Sequence, residues 1–462
     1  MSSSEGNLSV PDNSHLISST PSIQGSKGMY GPKGSHTQRK PQRRSLAKFV
    51  STSSLSSALQ STSSIVEFRI PAHTNTIDRI ENAMIYLRLL NTDSVSRNIV
   101  GAFSIIDYYE VLWGGDNILN FSGDSLMLYS TVFASDEQVA LNQWLLGFGT
   151  QGILPAAGQH DPTLEYTENI TIPAGGTYDL YIPVYSPLNH VECLGHINND
   201  VSIRLHLNPG SIIYLPVAGV GGALTPIANV VQVSTAELLC YGYEYFGKNR
   251  EMIIERMRSS PTSYKFLVER IQRNTLALAA NQQSSVQLSL LNGSFVSISY
   301  WLEPAVINAN VTASAMAPTT QSGAQYLYSN VVTGTKPTYR VPITAQNLRL
   351  IQSWIVDSSG RFVYNLANIQ DTYYKYVLGQ LEGSSANAYL DIYNSFFGNI
   401  KEDILKQTYE EGTIRANGLW TLYFICGPNL PASITNYQLV CTGYQAASLI
   451  IGVDGNAVYS YH

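Results

Sequence analysis

Charge is the scarcest property of this 462-residue chain: Asp, Glu, Lys and Arg together make up 13%, about half of the ~25% usual in soluble domains. The 44% of hydrophobic residues nevertheless excludes disorder throughout. Cysteine is equally sparse. Cys193, Cys240, Cys426 and Cys441 lie far apart and form no CxxC pair, which excludes a zinc ribbon or a dense disulfide framework and leaves four reduced core thiols. The opening MSSSEGNLSVPDNS has neither the basic nor the apolar region of a secretory signal. Synthesis in the cytosol or nucleus is therefore expected, with the sequons at Asn7, Asn120, Asn169, Asn292 and Asn310 unglycosylated. A continuous apolar span is missing too. Residues 205–236 carry no charge, but Pro216, Pro226, Asn229 and four glycines interrupt them. A crossing helix needs about 20 uninterrupted apolar residues, so this stretch reads as strand, glycine-rich loop, strand.

What charge there is divides unevenly. Residues 1–64 are rich in Ser, Thr, Gly and Pro and hold Lys27, Lys33, Arg39, Lys40, Arg43, Arg44 and Lys48 against only Glu5 and Asp12, a net of +5. The remainder has twenty basic and thirty-one acidic residues, a net of −11. This composition predicts a disordered or extended basic arm on an acidic body. Within the arm, Leu46, Phe49 and Val50 follow Arg43 and Arg44 at i, i+3, i+4, the spacing of a short amphipathic docking helix.

From Ile65 onward the apolar residues recur with period two, the pattern of half-buried strands. Ile85, Leu87 and Leu89 alternate with Tyr86, Arg88 and Leu90. Residues 105–113 and 117–121 flank Gly114-Gly115-Asp116, a tight hairpin. Ser135 and Gln138 form a capping box for a helix running to Gly147. Strands return at 167–172, 177–184, 201–205 and 236–246. Residues 247–272 then form the one sustained helical stretch, with Met252, Ile253 and Met257 at helical spacing before Pro261 stops it. A second block repeats the scheme: strands at 286–290 and 295–302, a hairpin of 348–356 and 361–364, a helix-like run at 366–378, and closing strands at 419–426, 437–441 and 447–453.

Two successive antiparallel blocks of this size fit an all-β chain of two consecutive eight-stranded jelly rolls with short inserted helices, not an alternating α/β scheme. The expected division is an arm at 1–64, a first roll at 65–246, a helical linker at 247–283 and a second roll at 284–462.

Catalytic signatures are absent: there is no GxSxG elbow, HExxH pair or Walker loop, and Gly219-Val220-Gly221-Gly222 lacks the third glycine of a dinucleotide fingerprint. The sharpest metal candidate is His190, Cys193 and His196, with Glu192 between them and His206 downstream. Structural zinc usually takes four protein ligands, and only His206 offers a fourth. The expectation is a loop with Cys193 turned inward and both histidines exposed. Asp107 and Glu110 fall on opposite faces of a strand, and Glu251 and Glu255 sit beside Arg250 and Arg256 as a solvated ion-pair surface. No catalytic, cofactor-binding or metal residue is assigned, and no small-molecule substrate is expected.

Four stretches carry a family likeness. Residues 106–129, IDYYEVLWGGDNILNFSGDSLMLY, resemble a strand, Gly-Gly hairpin, strand and Gly-Asp signature. Residues 245–272, YFGKNREMIIERMRSSPTSYKFLVERIQ, resemble an inter-roll segment with an Arg-bearing helix. SVQLSLLNGSFVSISYWLEPA and GLWTLYFICGPNLPAS are similar to the first hairpin and a late strand of a second roll. Their order over residues 65–455 resembles the double jelly-roll major capsid proteins of double-stranded DNA viruses, the lineage of nucleocytoplasmic large DNA viruses, virophages and Polinton-like elements. The turn at 431–437 departs from the family in lacking the glycine of its Pro-Ser-Gly run, and residues 305–340 stand as the longest outer loop.

The resemblance implies a non-enzymatic structural protein of the virion shell, three copies forming a pseudo-hexagonal capsomer of an icosahedral capsid. Its implied partners are itself, neighbouring capsomers and other capsid proteins such as penton or cement proteins. The seven cations of the arm are the expected interaction residues: the arm reads first as an assembly segment that threads under neighbouring subunits, and otherwise as a sequence-independent contact with genome or an inner membrane, since only Tyr30 and Phe49 accompany the cations for stacking. A two-domain jelly-roll glycan-binding protein, or a minor capsid protein at the vertices, is the alternative on the same strands.

Overall fold

The computed structural model describes residues 42–56, 58–60, 63–99, 105–123, 126, 145, 170–210, 214–216, 224–226, 230–289, 292–304, 329–332, 336–339, 350–365, 394–396, 414–416, 418–426 and 437–462. Every described residue belongs to one compact unit, Pro41–His462, and residues 1–41 lie outside the described residues.

The strands come in two series. The first comprises β1 (Gln42–Val50), β2 (Ser64–Ile70), β3 (Arg79–Asn91), β4 (Arg97–Ile99), β5 (Ile106–Trp113), β6 (Asp116–Ser122), β7 (Ile170–Ile172), β8 (Thr177–Pro183), β9 (Val201–Leu207), β10 (Tyr214–Pro216), β11 (Leu224–Pro226) and β12 (Val231–Tyr245). Helix α1 (Gly247–Ser259) follows. The second series is β13 (Thr262–Leu276), β14 (Gln283–Leu288), β15 (Gly293–Pro304), β16 (Ser329–Val332), β17 (Lys336–Tyr339), β18 (Leu350–Val356), β19 (Phe362–Asn365), β20 (Asn394–Phe396), β21 (Ile414–Ala416), β22 (Trp420–Cys426), β23 (Tyr437–Ile451) and β24 (Ala457–Tyr461).

Sheet order gives the architecture. The first series forms β1-β12-β3-β8 and β2-β9-β5-β6, and the second forms β13-β23-β15-β20 and β14-β22-β18-β19. Counting only the eight strands of these paired sheets in chain order, both series read 1-8-3-6 and 2-7-4-5. That order, built from antiparallel ladders, is a jelly roll, and it occurs twice. Inward positions at period two fill each roll. Ile85, Leu87 and Leu89 of β3 share one core with Val66 and Phe68 of β2 and Ile203 and Leu205 of β9. Val286, Phe295, Ile298, Ile355, Leu422 and Leu439 make the second. The buried Tyr300 keeps its hydroxyl satisfied, with Ser353 Oγ at 2.8 Å.

The Gly114-Gly115 hairpin is present, joining β5 and β6 with both glycines at positive φ (61° and 98°), the geometry of the tight two-residue turn. The hairpin of β18 and β19 is likewise present. Three expectations are corrected. The segment with Leu46, Phe49 and Val50 is a strand, β1, because its residues pair one for one with residues 237–245 of β12. The helical stretch ends at Ser259, and the following YKFLVERIQ lies in β13, paired over its whole length with β23. The two closing strands expected at 437–441 and 447–453 are the single 15-residue β23 followed by β24.

Within residues 205–236, β10 and β11 pair as a ladder, and the glycine loop between them lies outside the described residues. No helix among the described residues is long and apolar enough to cross a membrane. Of the 305–340 stretch, β16 and β17 form a hairpin. The helices expected at 135–147 and 366–378 fall outside the described residues apart from Leu145, as does the turn at 431–436.

Candidate functional site

Of the seven arm cations, Lys27, Lys33, Arg39 and Lys40 lie outside the described residues, while Arg43, Arg44 and Lys48 project from β1. Each of the three meets β12. Arg43 Nη2 donates to Glu244 Oε2 at 2.6 Å and its guanidinium lies 5.5 Å from the Phe246 ring centre. Lys48 Nζ sits 3.4 Å from Glu237 Oε2. A hydrogen bond with Tyr243 pushes the Arg44 pKa further up. Exposed pairs of this kind contribute about 0.2–1 kcal/mol each, so they orient β1 more than they hold it. The partners are some 190 to 200 residues away in sequence, which local spacing does not reveal.

The metal candidates do not converge. Cys193 is buried and its thiol donates to Asp78 Oδ1 at 3.5 Å. Burial, then the neighbouring Asp78, pushes its pKa up to about 12, so it stays a thiol at neutral pH. Glu192 pairs with Arg256 of α1. His206 stands on β9, its Nε2 3.2 Å from Glu110 Oε1 and its ring stacked 4.1 Å from that of Tyr108. His190 closes one 3₁₀ turn and His196 closes the next. The expectation that both histidines are exposed fails at His196, whose side chain is buried. Among the described residues no group of three or more His, Cys, Asp and Glu is placed to hold a metal ion. All four cysteines are free and buried, and burial pushes the other three to about 12 as well.

The carboxylate pairs are equally structural. Glu110 accepts from Asn117 Nδ2 at 2.9 Å and lies 3.6 Å from Arg204, which also faces Glu67. Asp107 instead lines a cleft of about 270 Å³ between the rolls, together with Tyr108, Asn120, Glu269, Arg270 and Arg273. Glu251 and Glu255 are exposed. Their expected partner Arg250 turns away from them, inward.

That turn exposes what the sequence did not announce: the joint between the rolls. Asp78, 1% exposed, accepts from Tyr245 N at 2.8 Å and Arg250 Nε at 2.7 Å, and its own carbonyl accepts from Leu194 N at 2.7 Å. Arg250 Nη2 also reaches Thr74 O at 3.4 Å. The Asp78 bond holds the Arg250 pKa above its usual value. So the start of α1 is fixed to the first roll by a charge-assisted bond in a buried place. Further along, Glu269 of β13 accepts from Ser122 N at 2.6 Å and Ser122 Oγ at 2.7 Å, tying β13 to the end of β6. The third tie is the turn between β23 and β24. Asn198 N donates to Gly455 O at 3.1 Å, and Asn198 Nδ2 donates to Asp454 O. Gly455 has φ +79°, and a Cβ there would fall 2.2 Å from His196 O, so only glycine permits this approach.

None of these groups combines a nucleophile, a base and an open pocket. What the side chains build is a bonded pair of two jelly rolls, a double jelly roll. That fold is shared with viral capsid proteins. The chain is similar to VP54 of PBCV-1 (15% identity, TM-score 0.59, 94% of this chain and 99% of that one). It is also similar to the Faustovirus major capsid protein (11%, 0.56, 91% and 92%) and to a chain of the Sputnik virophage structure (11%, 0.56, 97% and 94%). No family model matches the sequence, and no curated protein matches it. At these identities the likeness is one of fold.

Proposed function

We propose that this chain is a viral major capsid protein, a structural and non-enzymatic subunit that self-associates into homotrimers of pseudo-hexagonal outline and, through them, into the icosahedral shell of a virion. The observation that carries the reading is the doubled 1-8-3-6 and 2-7-4-5 strand order along one chain. Two equivalent rolls per subunit give three subunits six similar lobes, the shape that fills a hexagonal lattice with a three-fold symmetric unit. Its likeness to capsid chains across more than nine-tenths of its length supports this. So do the sparse charge and 30 tyrosines, which suit broad interfaces.

In this reading the functional division is an arm, two rolls and the helix between them. Neighbouring capsomers and penton or cement proteins are the partners. Lys27, Lys33, Arg39 and Lys40 are the cations left to meet genome or an inner membrane, because Arg43, Arg44 and Lys48 already face residues of β12.

Light scattering on the purified full-length protein tests the proposal, with negative-stain images of the same sample. A species of about 152 kDa, three times 50.7 kDa, with a six-lobed outline is expected. A stable monomer that binds a glycan array would overturn it in favour of a jelly-roll lectin.

A further inference from the structure

His196 sits at the third tie between the rolls, and its hydrogen bonding is incomplete. The side chain is 4% exposed, and Nε2 has no partner among the described residues. The backbone of Gly452, at the start of the turn that Gly455 brings against His196 O, pulls the ring toward protonation. The charged and titratable groups facing the ring come from three elements: Arg258 at the end of α1, His73 in the loop before β3, and Asp454 in the turn itself. His73 is held close by its own bonds, His73 N to Ile197 O at 2.9 Å and Nδ1 to Gly195 O at 3.3 Å. The backbone of this loop and that of the turn therefore meet around one imidazole.

A neutral imidazole has one N–H and one lone pair, and a buried lone pair without a donor is tolerable. The imidazolium has two N–H groups and a charge. Here the second N–H has no acceptor among the described residues, and a buried unmade bond of that kind is costly.

We propose that His196 is an acid-sensitive latch between the two rolls: neutral, it lets the turn at 452–456 seat against residues 195–198, and protonated, it releases that turn. Burial is the largest cause that lowers the His196 pKa, and Arg258 and His73 lower it further against the opposing pull of Gly452 and Asp454. The sign follows. A histidine whose folded pKa is depressed favours the closed joint fully above its ordinary value of about 6.5 and loses that contribution as pH falls toward the folded value. The inference concerns the joint within one chain and holds whether or not the chain assembles.

The test is hydrogen–deuterium exchange on the full-length protein between pH 7.5 and 5.5, corrected for the intrinsic rate. Exchange at Asn198 and Gly455 should rise on acidification by up to about tenfold per pH unit, the limit for one proton, while the amides of β3 stay protected. His196→Gln should flatten the response. Asp454→Asn keeps the oxygen that accepts from Asn456 N but removes the charge favouring protonation, and should move the lower end of the transition to lower pH while its onset stays in place. An acid response unchanged in His196→Gln, or no response in the unaltered protein, overturns the proposal. Should His196→Gln fail to fold, an unmoved transition in Asp454→Asn overturns it instead.

Discussion

Replacing Asp78 by alanine removes the centre of the first inter-roll tie. Besides the weak bond from the Cys193 thiol, two larger losses follow directly. The N–H of Tyr245, buried beside it, is left without its acceptor, at about 1–3 kcal/mol. The guanidinium of Arg250 loses a charge-assisted bond of about 1.5–3 kcal/mol. Together these match the ~3–5 kcal/mol that follows removal of one partner of a buried ion pair. Arg250 is 31% exposed and recovers some hydration, which places the expected loss near the lower end, about 3 kcal/mol. Arg250→Ala should cost a similar amount, because it leaves the buried Asp78 carboxylate without its counter-charge although Asp78 keeps the Tyr245 N–H. The measurement is a double-mutant cycle in urea at fixed protein concentration, with a coupling of about 2 kcal/mol between the two positions. Asp78→Ala within about 0.5 kcal/mol of the unaltered protein, or additive single effects, would refute the argument that this pair fixes α1 to the first roll.

Three further outcomes are expected. Gly455→Ala forces a Cβ to 2.2 Å from His196 O and a strained φ, so limited proteolysis should cut near the β23–β24 turn while the core of each roll resists. A thiol reagent at pH 8 should label none of the four cysteines in the folded protein and all four after denaturation, because each is buried and its pKa is held near 12. Lys48→Leu should change urea stability by less than about 1 kcal/mol, since it breaks only an exposed pair, but should lower the yield of soluble refolded protein by making the edge strand more apolar; equal yields would contradict that role.

Period-two alternation was legible wherever a strand has one wet and one buried face. β2, β9 and β22 alternate in burial along their whole length, and the Gly-Gly hairpin announced itself through its turn chemistry. The joint was not legible. Asp78 and Arg250 are 172 residues apart, and nothing in Arg250-Glu251 distinguishes the inward guanidinium from the outward carboxylate. His196 and Gly455 were unreadable for the same reason, since a close backbone approach leaves no trace in sequence beyond the glycine. The metal motif failed in the opposite direction, with suggestive spacing but its residues spread over two successive 3₁₀ turns, Cys193 bound to Asp78 and Glu192 to Arg256.

The two misplaced segments, β1 and β13, are the same strand of the two rolls, and topology explains why. Strand one of a jelly roll pairs with strand eight, so β1 has no ladder until β12 exists, 201 residues from Arg43 to Glu244. β13 similarly waits for β23, 175 residues from Arg270 to Gln445. A segment that must stay soluble through so long a loop closure benefits from charge and loses from an unbroken apolar stripe. β1 carries Arg43, Arg44 and Lys48, and β13 carries Lys265, Glu269, Arg270 and Arg273. Composition therefore makes the first strand of each roll look like the linker before it. Once strand eight arrives the same charges find lasting partners: Glu244 and Glu237 for β1, and Ser122, Gln445 and the ring of Tyr461 for β13. The polar character that hides these strands from sequence reading is what lets them be both the first strand made and the last one paired.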